Sequence, residues 1–445
     1  MQSPAEREIL EVGSRLLTSA DSSVHSPVRA IDKRALERAS QDAELRTALL
    51  RFVDVAPACR SPADLAAHLI GFLGELHERP LPLDAAMRMG SSKAARAALG
   101  RAAAAGVRHV AHRFIVAEQP GDAEKVLRSL WSEGVTTSVD LLGEATLSSQ
   151  EADRYAQRCL DTLDSLAGIY AALAPMPQLE ADSIGPIPRA NLSVKVSALT
   201  PLLRPDAPEL GERDAMPRLR ALLRRAKERD VHLHVDMESF DSREAVTELV
   251  LSLLGEDEFR DGPSAGLVLQ AYLTDSPELC ERIVAWAERS ARAQPLVVRL
   301  VKGAYWDHEV VDARQHGWRS PVFEVKAECD RNFEALTVRL LKTRSHLRAA
   351  IASHNLRSVA HAIVANRALG GQPRDVEFQV LRGLGDELQR ALVREGLRVR
   401  TYCPIGDLVA GMAYLVRRLL ENTSNQSFLA DQVRGRPLEE LLAAP

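Results

Sequence analysis

Apolar positions change their spacing once along this chain, near residue 125. Before that point Ala5–Leu17, Asp42–Val53, Pro62–His77 and Lys93–Ala104 are rich in alanine, leucine and arginine. They place apolar residues three and four apart, the spacing that gathers them on one face of an α-helix. Gly13, Gly90, Gly100 and Gly106 are expected to punctuate these helices. No strand-like segment precedes residue 107 or so.

From about residue 135 short apolar runs alternate with longer amphipathic stretches. The runs are Thr136–Leu142, Asn191–Ser197, Val231–Glu238, Gly266–Tyr272, Leu296–Lys302, Leu347–His354, Val376–Leu381 and Val399–Ile405. Nearly all are followed by a helical pattern, as in Leu219–Glu228 and Glu278–Arg292. Near-continuous apolar runs separated by helices predict parallel strands covered on both faces. Eight of them predict an α/β fold, a closed (β/α)8 TIM-like barrel, with an open doubly wound sheet as the alternative. The expected division is a helical arm or cap over 1–125, the barrel over 126–430, and a tail or linker over 431–445. There is no internal repeat, and no low-complexity tract beyond the alanine run Ala102–Ala105.

Composition narrows this picture. A chain of 445 residues, 46% hydrophobic, has room for a barrel of roughly 250–300 residues and a helical unit beside it. Its 57 basic and 61 acidic residues nearly cancel, to a formal charge of −4, which argues against a nucleic-acid partner held by a net positive field. An anionic small substrate is not disfavoured, since local arginines bind carboxylates whatever the total. Cys59, Cys159, Cys280, Cys329 and Cys403 are scattered and form no C-x-x-C pair. A disulfide framework or thiolate zinc site is not expected, and a reducing cytoplasm is. Charges stand where a signal peptide would carry its apolar region, and no apolar run approaches membrane-spanning length.

Candidate chemistry gathers where the runs end: Asp140 and Glu144, Lys195 and Ser197, Asp236 and Glu238, Gln270 and Tyr272, Lys302 and Gly303, His354 and Asn355, Gln379, and Tyr402. In a barrel these ends line the active-site mouth, so the pattern points to an enzyme. After the last run, Asp407–Asn422 reads as a helix with Leu408, Met412, Leu415, Val416 and Leu419 on one face. Tyr414, Arg417, Arg418 and Glu421 fall on the other. That polar face is either solvated or a clamp: two adjacent guanidinium groups match a carboxylate bidentately, and Glu421 could orient one of them.

His232 and His234 form an H-x-H on one side of the third run, as in metal-dependent hydrolases. They precede the strand end where ligands would sit, so histidines packed against a helix are the expected reading and a metal-dependent barrel hydrolase is the rival. Arg299–Trp306 runs from a strand into its loop. Arg299 and Lys302 offer positive charge, Gly303 permits close backbone approach, and Tyr305 and Trp306 offer rings for stacking; a plain strand end with interface aromatics is the other reading. Gly383 and Gly385 read as a turn, and Cys403 as a structural thiol. No G-x-S-x-G, H-E-x-x-H or Walker pattern occurs.

These residues carry a resemblance. L-S-V-K-V-S-A-L (192–199), H-V-D-M-E (234–238), L-Q-A-Y (269–272), V-R-L-V-K-G-A-Y-W-D (298–307), S-H-N (353–355), E-F-Q-V-L-R-G-L-G (377–385), R-T-Y-C-P-I-G (400–406) and A-Y-L-V-R-R-L-L-E-N-T-S-N-Q-S-F (413–428), together with D-L-L-G-E-A (140–145), resemble the proline dehydrogenase domain of bacterial proline utilisation proteins. The match spans about residues 110–430 in order. It implies a distorted barrel with noncovalent FAD, in which the last helix covers the mouth and turns its polar face to the substrate. By this resemblance Lys195, Arg417 and Arg418 grip the carboxylate of L-proline, while Tyr402, Tyr414 and Leu381 wall its ring. Asp236 supports the site near Lys195, Tyr305 borders it, and Glu421 stands beside the arginine pair. Arg299 is placed near flavin N5. Gln270, Val301, Lys302, Gly303, Ala304, Trp306, His354, Asn355 and Gln379 match FAD-contacting positions.

The implied reaction moves a hydride from proline C5 to the flavin and yields Δ1-pyrroline-5-carboxylate, the first step from proline to glutamate. Electrons then pass to a membrane quinone, which implies a transient membrane-surface contact for a cytoplasmic protein. Tyr402 favours plain proline, since a hydroxyproline enzyme would be expected to carry a smaller residue there. No ribbon-helix-helix pattern precedes the barrel, so a repressor role has no support. The chain's last segment, P-L-E-E-L-L-A-A-P (437–445), resembles the stretch from which bifunctional relatives continue into an aldehyde dehydrogenase domain. A stand-alone enzyme and a truncated bifunctional one both stay open, with an aldehyde dehydrogenase domain or partner expected for the next step.

Overall fold

Eight strands close on one another in chain order: β1 (Val135–Leu141), β2 (Ala190–Lys195), β3 (Val231–Asp236), β4 (Ala265–Gln270), β5 (Leu296–Val301), β6 (Leu347–Ala352), β7 (Val376–Leu381) and β8 (Arg398–Ile405). All pairings are parallel, and β8 returns to β1 over seven register positions. The computed structural model describes residues 3–21, 42–77, 93–143, 146–407, 411, 414 and 436–445. Closure excludes the open doubly wound sheet. The barrel is uneven, with β1 and β2 in register at only Val139–Leu192 and Asp140–Ser193.

Helices connect the strands, among them Ser149–Ala171, Pro208–Arg229, Phe240–Leu254, Ser276–Arg289, Lys326–Lys342, Leu356–Ala368 and Asp386–Arg394. Alternate strand residues such as Leu192, Val194, Leu233, Val235, Leu267, Leu269, Val298 and Leu300 are fully buried in the large apolar core shared with those helices. The intervening positions are largely polar and bond one another across the lumen. Ser138 Oγ lies 2.8 Å from Asn191 Oδ1 and 2.9 Å from Ser193 Oγ; His232 Nε2 lies 3.1 Å from His234 Nδ1. A barrel interior is usually packed with branched apolar side chains, and this one carries hydrogen-bonded polar groups instead.

The N-terminal helices form where their spacing predicts: Pro4–Asp21, Ala43–Val55, Pro62–Gly74 and Lys93–Phe114. Asp42 caps the second, accepting from the amides of Glu44 and Leu45 at 3.0 Å. Ser61 caps the third, with Pro62 at its first position. The expected glycine punctuation fails at three sites, because Gly13, Gly100 and Gly106 lie inside helices. Two of them buy close contact instead: a Cβ at Gly100 would fall 1.6 Å from the Pro62 carbonyl oxygen, and one at Gly13 would meet Leu442 at 2.6 Å. Gly90 lies outside the described residues.

The first helix buries Ile9, Val12 and Leu16 against the barrel's outer ring. Arg357 clamps both ends of the chain there. It donates to Glu334 at 2.7 Å, to Glu6 at 2.5 Å and to the Leu442 carbonyl at 3.1 Å. The fourth helix leads to the mouth: Phe114 and Ile115 pack with Leu142 and Tyr414, and Arg113 Nε donates to the Gly383 carbonyl at 3.1 Å. Among the described residues no helix is long and apolar enough to cross a membrane.

Candidate active site

At the carboxyl ends of the strands the lumen opens on a charged network. Lys195, last in β2, donates to Asp140 of β1 at 2.7 Å and stands 3.8 Å from Asp236, last in β3. Asp236 also receives Arg299 of β5 and, at 2.6 Å, the Tyr402 hydroxyl of β8. Arg299 is held on every side. Its Nε donates to Gln379 Oε1 at 2.6 Å, its Nη2 reaches Ser193 Oγ at 3.1 Å and Ser138 Oγ at 3.3 Å, and its guanidinium lies 5.5 Å from the Tyr402 ring centre. Gln379 is itself fixed by Glu377, 2.7 Å away. A side chain bonded from four strands has one orientation, which is how rigid elements preorganise a site.

Two cations face two carboxylates here. Burial pushes the Asp140 carboxyl up, an effect that Lys195 only partly offsets. Burial alone would lower the Lys195 ammonium, but Asp140 and Asp236 hold it above its ordinary range. Burial, with Asp140 and Asp236 beside it, raises Tyr402 well above the usual phenol range, so the hydroxyl stays protonated and donates.

The other predicted residues surround this network. Gln270, last in β4, donates to the Glu238 carbonyl at 2.8 Å, and its buried Oε1 has no hydrogen-bond partner among the described residues. Val301 pairs with Gln270 across the strands. Gly303 and Ala304 are exposed. Gly303 has φ of +143°, and a Cβ there would strike the Tyr272 ring at 2.4 Å, so backbone alone fits. Tyr305 is the N-cap of helix Trp306–His316, and the Trp306 indole donates to the Phe323 carbonyl at 2.9 Å. Lys302 pairs with Asp330, and burial lowers its ammonium despite that partner. His354 Nε2 accepts from the Leu381 amide at 2.9 Å, and Leu381 pairs in register with Tyr402. Asn355 caps the next helix through the Ser358 amide at 3.1 Å. Tyr414 is buried beside Tyr402. Arg417, Arg418 and Glu421, like Glu144, lie outside the described residues.

Gly383, with φ of +82°, and Gly385, the N-cap of helix Asp386–Arg394, make the expected turn. The histidine pair differs from expectation. His232 and His234 point into the lumen rather than against a helix, where Gly266 leaves room: a Cβ there would meet His234 Nδ1 at 2.6 Å. His232 Nδ1 is 2.8 Å from Ser264 Oγ and its Nε2 faces His234, so the two rings bond each other instead of converging on a common centre. That geometry does not match a hydrolase metal pair. Asp140, marked in the sequence as a polar run end, joins the network, and Ser138, Ser193 and Glu377, which were not anticipated as site residues, complete it; their signal was a polar residue at every second strand position.

The donor set suits a polar-edged planar cofactor. Gln270 presents an unsatisfied amide oxygen, the Gly303 backbone is bare, and Arg299 offers fixed positive charge. A (β/α)8 barrel with such residues at its strand ends is an enzyme scaffold of the TIM type. Comparison narrows the class. The family model for proline dehydrogenase matches residues 123–431, and that for the proline utilization A N-terminal domain matches 6–114. The bifunctional protein PutA of Klebsiella aerogenes is 32% identical over 76% of this chain, which covers 25% of that relative. Proline dehydrogenase 1 of Bacillus subtilis (strain 168) is 27% identical over 74% of this chain and 92% of its own length. The crystal structure of proline utilization A from Bdellovibrio bacteriovorus superposes with a TM-score of 0.90 and 33% identity, covering all of this chain and 44% of that one. The chain belongs to the proline dehydrogenase family. It spans about a quarter of the length of the bifunctional relatives.

Proposed function

We propose that this chain oxidises L-proline to Δ1-pyrroline-5-carboxylate at the barrel mouth, with FAD bound noncovalently and a quinone as the final electron acceptor. The observation that carries this reading is the network of Lys195, Asp140, Asp236, Arg299 and Tyr402 at the strand ends of a proline dehydrogenase domain. Bound FAD supplies the two-electron acceptor for the hydride that leaves C5. Gln270, Val301, Lys302, Gly303, Ala304, Trp306, His354, Asn355 and Gln379 would hold it, and Arg299 would set the charge at its reactive edge.

Lys195, Arg417 and Arg418 bind the substrate carboxylate, and Glu421 and Asp236 keep those cations in place. Tyr402, Tyr414, Leu381 and Tyr305 wall the ring and exclude water, so that C5 is presented in one orientation. The ring nitrogen first gives up its ammonium proton to water; as the hydride departs, the freed lone pair forms the new C=N bond, and loss of the remaining N–H proton to water leaves the neutral imine. Residues 126–430 are the catalytic unit in this reading. Residues 1–125 act as an arm or cap, which the packing of Phe114 and Ile115 against Tyr414 supports. Delivery of electrons to a quinone calls for a peripheral membrane contact, and oxidation of the product to glutamate calls for an aldehyde dehydrogenase domain or partner.

Steady-state proline oxidation tests the clamp. Lys195→Met and Arg417→Met should each raise the proline KM at least about tenfold, since a hydrogen bond to a charged group contributes about 1.5–3 kcal/mol. An unchanged KM in both variants, with FAD still bound, would remove these residues from the carboxylate site.

A further inference from the structure

The opposite end of the lumen is also charged, and there the charges do not cancel. Arg348 of β6, Arg398 and Arg400 of β8, Glu377 of β7 and His232 of β3 line a cavity at the barrel floor with Asn191, Ser264 and Ile187. The cavity, about 20 Å³, has room for one or two water-sized groups. Asp182, on the strap between β1's helix and β2, closes the cluster from below, accepting Arg348 Nε at 2.7 Å. Glu377 takes Arg400 through two bonds of 2.8 and 3.1 Å. Three guanidinium groups therefore meet two carboxylates, all of them buried. Burial holds both imidazoles, His232 and His234, well below their ordinary range, so they add no charge. The carboxylate of Asp375 is turned to Ser183 and the Gln372 amide.

The surplus cation can be located. Arg398 is only loosely paired, at 3.5 Å from both Asp182 and Glu377, and its Nε makes no hydrogen bond among the described residues. Arg348 Nη2 donates to the carbonyls of Gly185 and Pro186 and to Asp182 at 3.2 Å, while its Nη1 is buried with no partner among the described residues. An arginine does not shed its proton in a protein, and an uncompensated buried charge is strongly unfavourable. Water could fill the space but would not neutralise it.

We propose that the barrel floor binds one small monovalent anion of the halide type, held by Arg348 Nη1 and Arg398, as a structural ion outside the catalytic mouth. The site is part of the fold, so its ion stabilises the barrel without entering the reaction.

The test uses the full chain. In crystals soaked in bromide, an anomalous difference peak is expected in the floor cavity beside Arg348 Nη1. In solution, replacing gluconate by chloride at fixed ionic strength, from trace levels to roughly 0.1 M, should raise Tm by a few degrees. Arg348→Met leaves two cations against two carboxylates and should abolish the chloride response. Asp182→Asn leaves three against one and should enlarge it. A bromide-soaked crystal with no peak in the cavity would overturn the proposal, even if neither variant folds. So would a peak with an identical Tm in chloride and gluconate, which marks an adventitious ion only.

Discussion

The mouth and the floor of this barrel are built from the same inward-facing strand positions and finished in opposite ways. At the mouth Lys195 and Arg299 face Asp140 and Asp236, two against two, beside open backbone at Gly303 and Ala304. At the floor Arg348, Arg398 and Arg400 face Asp182 and Glu377, three against two, beneath a strap that closes the lumen. Among the described residues these four charges cancel, so a zwitterion can approach them without stranding a buried charge. The floor lies at the other end of the lumen, with its charged groups buried. Between them runs a continuous line of bonds, Asp236 to Arg299 to Gln379 to Glu377 to Arg400, so the two ends are mechanically linked although their tasks differ.

Substitutions should separate those tasks. The largest effect is expected at Arg299. Arg299→Met removes the buried cation that Asp236 and Gln379 share, and kcat/KM for proline should fall at least about 100-fold, the scale of a broken buried ion pair. At the floor the loss should appear in stability instead. Asp182→Asn should lower Tm by roughly 10 °C while kcat/KM stays within about a factor of two, as calorimetry beside steady-state kinetics would show. Equal losses of activity in both variants would mean that the two ends act as one site.

A smaller effect is expected at the wall. Tyr402→Ser removes the ring and the hydroxyl that bonds Asp236, and should raise the ratio of 4-hydroxyproline to proline turnover by roughly tenfold. An unchanged ratio would take Tyr402 out of the wall.

The smallest effect concerns acid. Burial works against the Glu377 carboxylate, but Arg400 and Arg398 hold it down to about 2, and Arg348 and Arg398 likewise hold Asp182 below the ordinary range. A carboxyl depressed in the folded state gives its full stabilisation above the unfolded value and loses it as pH falls through the folded one. Denaturant-measured stability should therefore decline from about pH 4.5 toward 2, less steeply in Asp182→Asn. A slope the same in both proteins would remove Asp182 from this linkage.

Much of this architecture is legible in the residues. All eight strands fall within three residues of where the apolar runs place them, because a strand buried by helices must be apolar on that side whatever else it carries. At the mouth Asp140, Lys195, Asp236, Gln270, Gln379 and Tyr402 stood out as polar residues toward the ends of the runs, and Arg299 as the positive charge of the strand-to-loop stretch Arg299–Trp306. The polar lumen did not stand out. It is written as a two-residue period inside the same runs, Asn191–Ser193–Lys195, His232–His234–Asp236, Glu377–Gln379 and Arg398–Arg400–Tyr402, and continuous apolarity on the outer face masks it. The strap was illegible for another reason: Asp182 meets Arg348 and Arg398 across 166 and 216 residues, and no local pattern encodes such a contact. The N-terminal glycines misled in a similar way, because whether Gly100 ends a helix or admits a neighbour depends on where Pro62 lies.

The central claim, that proline is oxidised at this mouth with flavin, is tested most directly by adding L-proline without oxygen to the full chain loaded with FAD. The flavin absorption bands should bleach on addition of proline, and far more slowly in Arg299→Met. Bands that persist at saturating proline in the unmodified chain would contradict the account.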